Sequence, residues 1–577
     1  MGVMKNQLNN ACSPLSLRAL ASGTALGGLL STCNIYMGLK VGWSINMSIL
    51  AALLGSLAFH HRRHSNLSLA CRESNLQQTA ASAAGGTVSA GLVAPIPAYL
   101  ILTGESFEFL PMVIWMIAIS LLGVCVASAV RPTMLSNSRL RFPSGTATAA
   151  VITNLHTRSI AAKYRLKVLL VAMLVAISHR LLVPAGYKLS LGFSLTGKGA
   201  VAGTQISAKN LGFVLEPSYM LMGIGALIGP RASLSLLLGC LIAWLGLAPT
   251  LLQLDWVTAG PHDQQWFSPL LEWLLWPGVT MMTAASLITL LRVLLRSRSI
   301  HSLKPDWGRF EYGLLFLLTP MIVMLQMQLF DIGLIASLLS VPLAFLFAII
   351  AAQVVGETGI PPVGALGKLS QLTYAVISPG QLTTNLMTGN VACGAAGQAT
   401  DLLNDFKSGQ ILGTQPRHQT LAQCCGIFSG CVVSAAIFSL LISDPAAQLM
   451  TEQWPAPGVV AWSAIAKALT SGLHAIPAHT LAAILVAAGL TVAIELIASA
   501  TPAYIQRWLP SAPAIGMGFV IPASITLMLV FGAVLAGLIT VLAPKFSKHY
   551  LIAMAAGFIA GESLAGVLGT LVTFLKQ

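Results

Sequence analysis

Long apolar stretches separated by short polar ones make up most of the chain. Each stretch runs to about 18–25 residues, the length at which an α-helix crosses the hydrocarbon core of a bilayer. None shows the apolar/polar alternation of membrane β-strands, so the pattern predicts an all-α polytopic membrane protein with about 14–16 transmembrane helices. The predicted spans lie near residues 17–37, 43–60, 77–101, 109–130, 165–184, 219–246, 271–295, 312–330, 332–355, 419–442, 458–475, 478–500, 515–541 and 549–574.

Four further segments are rich in Gly, Thr, Ser, Asn and Gln and are too polar or too interrupted to face lipid. Polar, irregular backbone is tolerated at membrane depth only where protein or a water-filled cavity surrounds it. We therefore expect re-entrant or broken segments there. Between residues 140 and 220 the sequence leaves the number of membrane crossings open by one. The four segments are 143–156, 190–216, 360–378 and 382–400.

Charge is sparse and clustered. Only 8% of the 577 residues are charged, mean hydropathy is +0.81, and the formal net charge is +14. Lys and Arg occur in short groups between apolar stretches, as in residues 60–64 and 296–309. The positive-inside rule explains such groups better than nucleic-acid binding does. We predict a multi-pass protein of the cell's cytoplasmic (inner) membrane.

One apolar segment recurs in the chain. Residues 223–245 align without gaps to residues 516–538, with glycine at 223/516, 225/518 and 239/532. Internal duplication is typical of secondary transporters, whose substrate site lies where the related halves meet. We therefore predict two related halves of one transmembrane bundle, residues 1–305 and 306–577.

Motifs for catalysis or energy conversion are missing from the sequence. There is no P-loop, no H-E-x-x-H and no G-x-S-x-G,. The nine cysteines form no C-x-x-C pair and have no histidine at zinc spacing, so we expect packed thiols and not metal ligands,. We predict no enzyme activity, no resident metal and no cofactor.

A few acidic residues stand in apolar surroundings, where a charge is costly and normally faces the bundle interior or a wet cavity. Glu357, Glu495 and Glu562 are the candidates for proton coupling. The alternative for each is a buried basic partner or a place near the interface. For Glu562, close helix packing at neighbouring glycines is a further explanation. Asp401 and Asp405 are expected near the cytoplasmic surface, as caps or loop anchors.

Two stretches end an apolar helix with glycines, polar groups and a lysine: NIYMGLKVGW at 34–43 and GETGIPPVGALGK at 356–368. Helix breaks expose backbone amides, carbonyls and dipole ends that can hold a polar substrate. Lys40 in the first stretch binds an anionic group or extends to the interface, and the sequence leaves both open.

Six blocks of the sequence resemble the oligopeptide transporter family, in the branch of its prokaryotic members and the yellow stripe-like metal-chelate carriers. The likeness covers residues 17–574 and rests on TCNIYMGLKVGWSINMSILAALLG, ESNLQQTAASAAGG, the helix containing GPR, ETGIPPVGALGKLSQL, AAGQATDLLNDFKSGQILGTQPRHQ and AGFIAGESLAGVLG. It implies about sixteen transmembrane helices and proton-driven import of small peptides, glutathione-like compounds or metal chelates. Pro361-Pro362 stands where members often carry Asn-Pro, so the substrate class stays open.

Together these features predict one central cavity and a proton-coupled secondary active transporter. The expected substrate-binding residues are Asn34, Tyr36, Lys40, Glu357, Thr358, Asn385, Asn390 and Gln398. A passive channel is the alternative, but it should show a symmetric ring of like residues, and an intramembrane enzyme ranks third. The expected partners are a small-molecule or peptide substrate, protons and the bilayer, with no nucleic acid; a homo-oligomer is compatible with the sequence.

Overall fold

The computed structural model describes residues 16–42, 44, 46–59, 67–136, 140–156, 160–183, 188–196, 205–296, 308–358, 361–472, 476–506 and 508–576. Within these ranges nearly all regular structure is helical. Ten helical stretches there are long and apolar enough to cross a membrane. The predicted all-α polytopic membrane protein is confirmed.

The described residues of the first part of the chain form ten α-helices, and a π-helical turn at Leu241–Leu247 connects α8 and α9. Between α7 and α8 two small antiparallel strand pairs form, β1 with β4 and β2 with β3. The helices are α1 (Leu17–Val41), α2 (Ser48–Phe59), α3 (Leu67–Gly86), α4 (Pro95–Thr103), α5 (Phe109–Ser136), α6 (Pro143–His156), α7 (Ile160–Leu182), α8 (Tyr219–Cys240), α9 (Ala248–Gln253) and α10 (Phe267–Arg296). The strands are β1 (Leu189–Ser190), β2 (Ser194–Thr196), β3 (Gln205–Ser207) and β4 (Val214–Leu215).

The described residues of the second part of the chain form twelve helices and no strand. They are α11 (Arg309–Phe330), α12 (Leu334–Thr358), α13 (Val363–Ile377), α14 (Leu382–Leu412), α15 (Pro416–Leu441), α16 (Pro445–Gln448), α17 (Pro457–Ser471), α18 (Thr480–Ala500), α19 (Ala503–Gln506), α20 (Ala512–Val520), α21 (Ala523–Leu542) and α22 (Pro544–Lys576).

Small residues bring the helices of one bundle into close contact. We call it the core bundle; it contains α1, α3, α5, α12, α14 and α15. Gly23 of α1 lies against the backbone of Gln77 in α3, and Gly426 of α15 lies against the Ala80 carbonyl of the same helix. Because lipid supplies no hydrophobic force between helices, such close approach of backbones is what holds them together.

A second bundle, the flank bundle, contains α7, α8, α10, α20, α21 and α22. Gly557 and Gly561 of α22 lie against the carbonyls of Leu169 and Met173 in α7. The small neighbours of Glu562 therefore do mediate helix packing. Each bundle draws helices from both parts of the chain.

The two copies of the repeated segment pack against each other. Gly225 lies against Leu529, and its equivalent Gly518 lies against Leu236, the equivalent of Leu529. The same reciprocity joins Gly239 to Ile515 and Gly532 to Met222. Residue numbers rise along one segment as they fall along the other, so the segments run antiparallel about a local two-fold axis. This arrangement supports two related halves of inverted orientation, with the boundary at residues 305/306 still a prediction.

Both copies are broken at the equivalent position. In α8, Gly229 adopts φ 79° before Pro230, a conformation that favours glycine,. In the second copy α20 ends at Val520, and α21 starts after Pro522. Proline removes a backbone donor and interrupts the helix in both cases. Broken helices are thus present, as the sequence predicts, but at positions that the sequence analysis treats as continuous spans.

Other expected irregularities are helices in the structure. Residues 382–400 belong to the unbroken helix α14, most of whose residues are buried, so the expected interruption is wrong while the exclusion from lipid fits. Residues 143–156 form α6, and most of 360–378 forms α13. Conversely, the predicted span 77–101 is interrupted: α3 gives way to a 3₁₀ turn at Thr87–Ala90 before α4 begins.

Candidate functional site

Tyr36 and Lys40 lie at the end of α1, which Gly42 terminates with φ 75°. The Tyr36 ring meets Trp454 edge-on, with 5.4 Å between ring centroids. The Lys40 ammonium lies over the same indole, 5.3 Å from its centroid. An ammonium over an aromatic face is a stabilising cation–π contact. The half-buried lysine is therefore held beside an aromatic wall.

Charged side chains of both signs surround this pair. Arg180 of α7 interacts electrostatically with the Tyr36 hydroxyl. Glu216 and Glu562 interact electrostatically with both Tyr36 and Lys40. Gly566 of α22 leaves room for the Tyr36 ring, since a Cβ there would stand 2.7 Å from it. We call Tyr36, Lys40, Arg180, Glu216, Trp454 and Glu562 the junction cluster. It lies where α1 of the core bundle meets α7 and α22 of the flank bundle.

Glu562 has a local role within this cluster. Its Oε1 accepts from the Ser218 hydroxyl at 2.7 Å, and its Oε2 accepts from the Met220 amide at 2.9 Å. The carboxylate thus satisfies the Met220 amide at the start of α8, where negative charge is stabilised by the helix dipole,. This arrangement ties α22 to α8 and fixes the charge next to Tyr36.

A polar cavity of about 360 Å³ neighbours the junction cluster. Lys188 forms an ion pair with Glu452 at its wall, and Glu452 also acts on Lys40. Glu452 is therefore the described link between the cavity wall and Lys40, and none of the eight predicted binding residues lines the cavity. Its walls are Lys188, Lys209, Val214, Asp263, Gln264, Gln265 and Glu452.

Three of the predicted residues converge on the break between α3 and α4. The side-chain amides of Asn34, Asn390 and Gln398 donate to the carbonyls of Gly85, Ala90 and Ala83, at 2.8, 3.0 and 3.5 Å. A helix break in a membrane leaves carbonyls that must find internal donors. These amides supply them, which explains their burial without a substrate.

The remaining predicted binding residues lie apart from these groups. Glu357 is exposed at the end of α12, next to Gly356, whose carbonyl accepts from the Phe142 amide at 2.9 Å. Thr358 is the last residue of α12; its side chain lies outside the described part. Asn385 donates to the Gln371 carbonyl at 2.6 Å. No described hydrogen bond or ion pair joins Glu357 to Asn34 or Asn385.

Glu495, another proton-coupling candidate, has a basic partner. Its Oε2 lies 2.7 Å from Arg292 Nη1, and its carbonyl accepts a second bond from the same guanidinium. The pair joins α10 to α18. This is the paired alternative that the sequence leaves open for such a residue, and it accounts for a charge among apolar neighbours.

A buried network of amides and carboxylates lies between α3, α14 and α15, and the sequence did not predict it. Asp405 is 0% exposed, and its Oδ1 accepts from Gln78 at 2.8 Å and Ser48 at 3.3 Å. Asp405 is therefore enclosed by other side chains, and its expected place near the cytoplasmic surface stays a prediction. Asp401 accepts from Asn46 at 3.1 Å and does anchor the α1–α2 connection, as expected.

The network continues along the same face of α14. Gln398, Asp401, Asp405 and Ser408 are three to four residues apart and so share one helix face. Gln419 Nε2 donates to the Asp405 carbonyl at 2.6 Å, and further bonds link the amides of the three helices. The signal available in the sequence was this spacing of polar residues on an otherwise apolar helix.

The comparisons with known proteins decide the family. The sequence profile of the OPT oligopeptide transporter family matches residues 14–304 and again residues 304–573. The chain belongs to the OPT family. The resemblance drawn from the six sequence blocks is thereby confirmed.

Several OPT-type relatives align over most of the chain. "Putative oligopeptide transporter YGL114W" of Saccharomyces cerevisiae is 24% identical, over 98% of this chain and 97% of the yeast protein. "Probable metal-nicotianamine transporter YSL9" of Oryza sativa subsp. japonica is 24% identical, over 95% and 88%. "Metal-nicotianamine transporter YSL2" of Arabidopsis thaliana is 23% identical, over 79% and 74%. The relatives are named as transporters, as expected for a chain with no catalytic motif.

Proposed function

We propose that this OPT protein is a secondary active transporter that uses a proton gradient to import small peptides or peptide-like metal chelates across the cytoplasmic (inner) membrane. The observation that carries the proposal is the junction cluster: two cations, two carboxylates and two aromatic rings between the core and flank bundles. Binding sites form preferentially at such interfaces, with a few placed polar groups in an otherwise apolar wall.

The cluster is complementary to a substrate with both kinds of charge. Lys40 and Arg180 suit the carboxylates of a peptide or an amino-acid-derived chelator, and Glu216 suits an amino group. Trp454 and Tyr36 supply an aromatic wall for the apolar part of the substrate. The names of the plant relatives, metal-nicotianamine transporters, support a chelate among the substrates.

Alternating access follows from the arrangement of the two bundles. In transporters built from inverted repeats, one bundle rocks against the other around a site between them. Tyr36 and Lys40 belong to the core bundle, whereas Arg180 and Glu562 belong to the flank bundle. A movement between the bundles would therefore take the cluster apart and expose the substrate to the other side.

This proposal keeps Tyr36 and Lys40 as substrate-binding residues. Asn34, Asn390 and Gln398 are assigned to holding the break between α3 and α4. Glu357, Thr358 and Asn385 remain predictions, as do the proton-coupling roles of Glu357, Glu495 and Glu562 and the homo-oligomer.

The test is uptake into proteoliposomes that are acidic outside and neutral inside. The probes are a labelled dipeptide, glutathione and nickel and ferric chelates of nicotianamine, compared between wild type, Lys40→Gln and the exposed Lys545→Gln. Loss of one charge-assisted hydrogen bond costs about 1.5–3 kcal/mol, so we expect KM for the accepted probe to rise roughly ten- to hundredfold in Lys40→Gln. Lys545→Gln should match wild type.

Three results would count against the proposal. Uptake that ignores the pH gradient removes proton coupling. Uptake that does not saturate and never exceeds the outside concentration indicates a passive channel. A Lys40→Gln variant with unchanged KM removes the junction cluster as the binding site.

A further inference from the structure

Asp405 lies at the centre of the buried network between α3, α14 and α15. It is not among the proton-coupling candidates predicted from the sequence. Asp405 lies in the last third of α14, one helical turn after Asp401, and is 0% exposed. Its Oδ1 has two donors, Gln78 and Ser48, but its buried Oδ2 has no hydrogen-bond partner in the described part of the chain. A buried carboxylate oxygen without a donor is costly.

No basic group within the described ranges forms an ion pair with this carboxylate. The same holds for Asp401, and the ionisable neighbour that acts on Asp401 is Asp405 itself. The packed elements carry other ionisable side chains, none of which forms a hydrogen bond or ion pair with Asp401 or Asp405 among the described residues. Among them are Lys407 on α14, Arg72 and Glu73 on α3, Arg131 on α5, His156 on α6, Glu357 on α12, Lys368 on α13, and Arg417 and His418 on α15.

The network also contains more acceptors than donors. Gln419 Oε1 and Gln423 Oε1 are buried and, like Asp405 Oδ2, have no donor among the described residues. Adding a proton to the network removes a charge and supplies one donor. Asp405 Oδ2 and the two amide oxygens are therefore buried acceptors that lack donors in the described part of the chain.

We propose that Asp405 is the residue that takes up and releases the transported proton, with Asp401 as its anchoring neighbour. The inference rests on the proposed proton-driven transport. A proton from a hydronium ion bonds to Oδ2 and leaves a water molecule behind, which makes the carboxyl group neutral. Breaking that O–H bond later returns the proton to water on the other side and restores the carboxylate.

The position of the pair links protonation to the helix break. Asp401 Oδ2 lies against Gly86, where a Cβ would stand 2.3 Å from it, and Gly86 is the last residue of α3 before the 3₁₀ turn. Asp401 also holds Asn46 in the connection from α1, the helix that carries Tyr36 and Lys40. Asp401, one helical turn from Asp405, therefore contacts both the break and the connection that follows the helix carrying Tyr36 and Lys40.

The decisive experiment is infrared difference spectroscopy of the purified full-length protein in nanodiscs, titrated with pH in the absence of substrate. The carbonyl stretch of a protonated carboxyl group should appear as pH falls in wild type. It should be lost in Asp405→Asn, shifted in Asp405→Glu and retained in Asp331→Asn. Asp331 is exposed and ends α11 with φ 50°, where asparagine fits equally well,.

Transport assays give the second readout. Asparagine resembles the protonated acid in shape, so Asp405→Asn should fold and exchange labelled for unlabelled probe across the membrane. It should accumulate no probe above the level reached without a gradient. Asp405→Glu should recover part of the gradient-driven uptake, which a purely structural role would not require.

The outcomes separate this inference from the proposed function. A carboxyl band that persists in Asp405→Asn, or gradient-driven accumulation equal to wild type in that variant, overturns the assignment to Asp405. In a further outcome, the carboxyl band titrates in wild type and is lost in Asp405→Asn, but the pH gradient causes no probe to accumulate. The assignment of the protonation site to Asp405 is then retained. That result refutes proton-driven transport instead.

Discussion

The reciprocal glycine contacts between the repeated segments give a quantitative prediction. A Cβ added at Gly225 would stand 2.0 Å from the carbonyl oxygen of Leu529 and 3.0 Å from its Cα. Ordinary contact begins near 3.4 Å, so α8 and α21 would have to separate by about 1.4 Å. The obstacle is backbone and not a flexible side chain, so rotation cannot relieve it.

Two opposed effects set the magnitude for Gly225→Ala. Alanine favours a helix interior over glycine by about 1 kcal/mol. Overpacking a close contact costs about 1–3 kcal/mol, and separating the helices also weakens the packing around it. We therefore expect a net loss of stability. The equivalent substitution Gly518→Ala, 2.5 Å from the Leu236 carbonyl, should behave alike.

The assay is thermal unfolding of the purified protein in detergent, followed by intrinsic fluorescence. Gly537→Ala is the matched control, because a Cβ at this position of α21 meets nothing within 4 Å. Its Tm should equal or exceed that of wild type, whereas Gly225→Ala and Gly518→Ala should melt lower. If both repeat variants are as stable as Gly537→Ala, the close antiparallel packing of the two segments is wrong.

Two further substitutions test structural roles assigned above. Glu495→Gln leaves the part-buried Arg292 without its counter-charge and should lower Tm by an amount equivalent to about 1–3 kcal/mol, while Glu495→Gln with Arg292→Gln should recover part of it. If the single variant melts like wild type, the ion pair contributes nothing. Asn390→Leu leaves the Trp115 indole N–H and the Ala90 carbonyl unpaired, each at a cost of about 1–3 kcal/mol,. A Tm drop no larger than that of an exposed Asn→Leu variant would show that the break is held without this amide.

The sequence predicts the membrane class well because length and hydropathy of apolar stretches report directly on the bilayer. It predicts breaks poorly. Residues 87–94 contain no proline, and the chain there reads as a continuation of α3. The carbonyls of the break pair with Asn34, Asn390 and Gln398, and these residues are distant along the chain.

The candidate site was predictable only in part. Tyr36 and Lys40 follow from an unusual polar end of an apolar helix, but Arg180 and Glu216 join them through packing of separate bundles. Glu357 stands out in the sequence because its neighbours are apolar, yet it is exposed at a helix end. Asp405 stands among polar residues and looks like a surface group, yet the face it shares with Gln398 and Ser408 is covered by α3.

The matched breaks divide each repeated segment into two arms, and the four arms form two packed pairs, which we call levers. The arm of α8 before Gly229 is fastened to α21, and the arm after it is fastened to α20. Each lever thus combines one arm from either copy, and the glycines that fasten the arms lie within the levers and not between them. Bending at Gly229 and Pro522 together would rotate one packed helix pair relative to the other. The packing within each pair would stay intact.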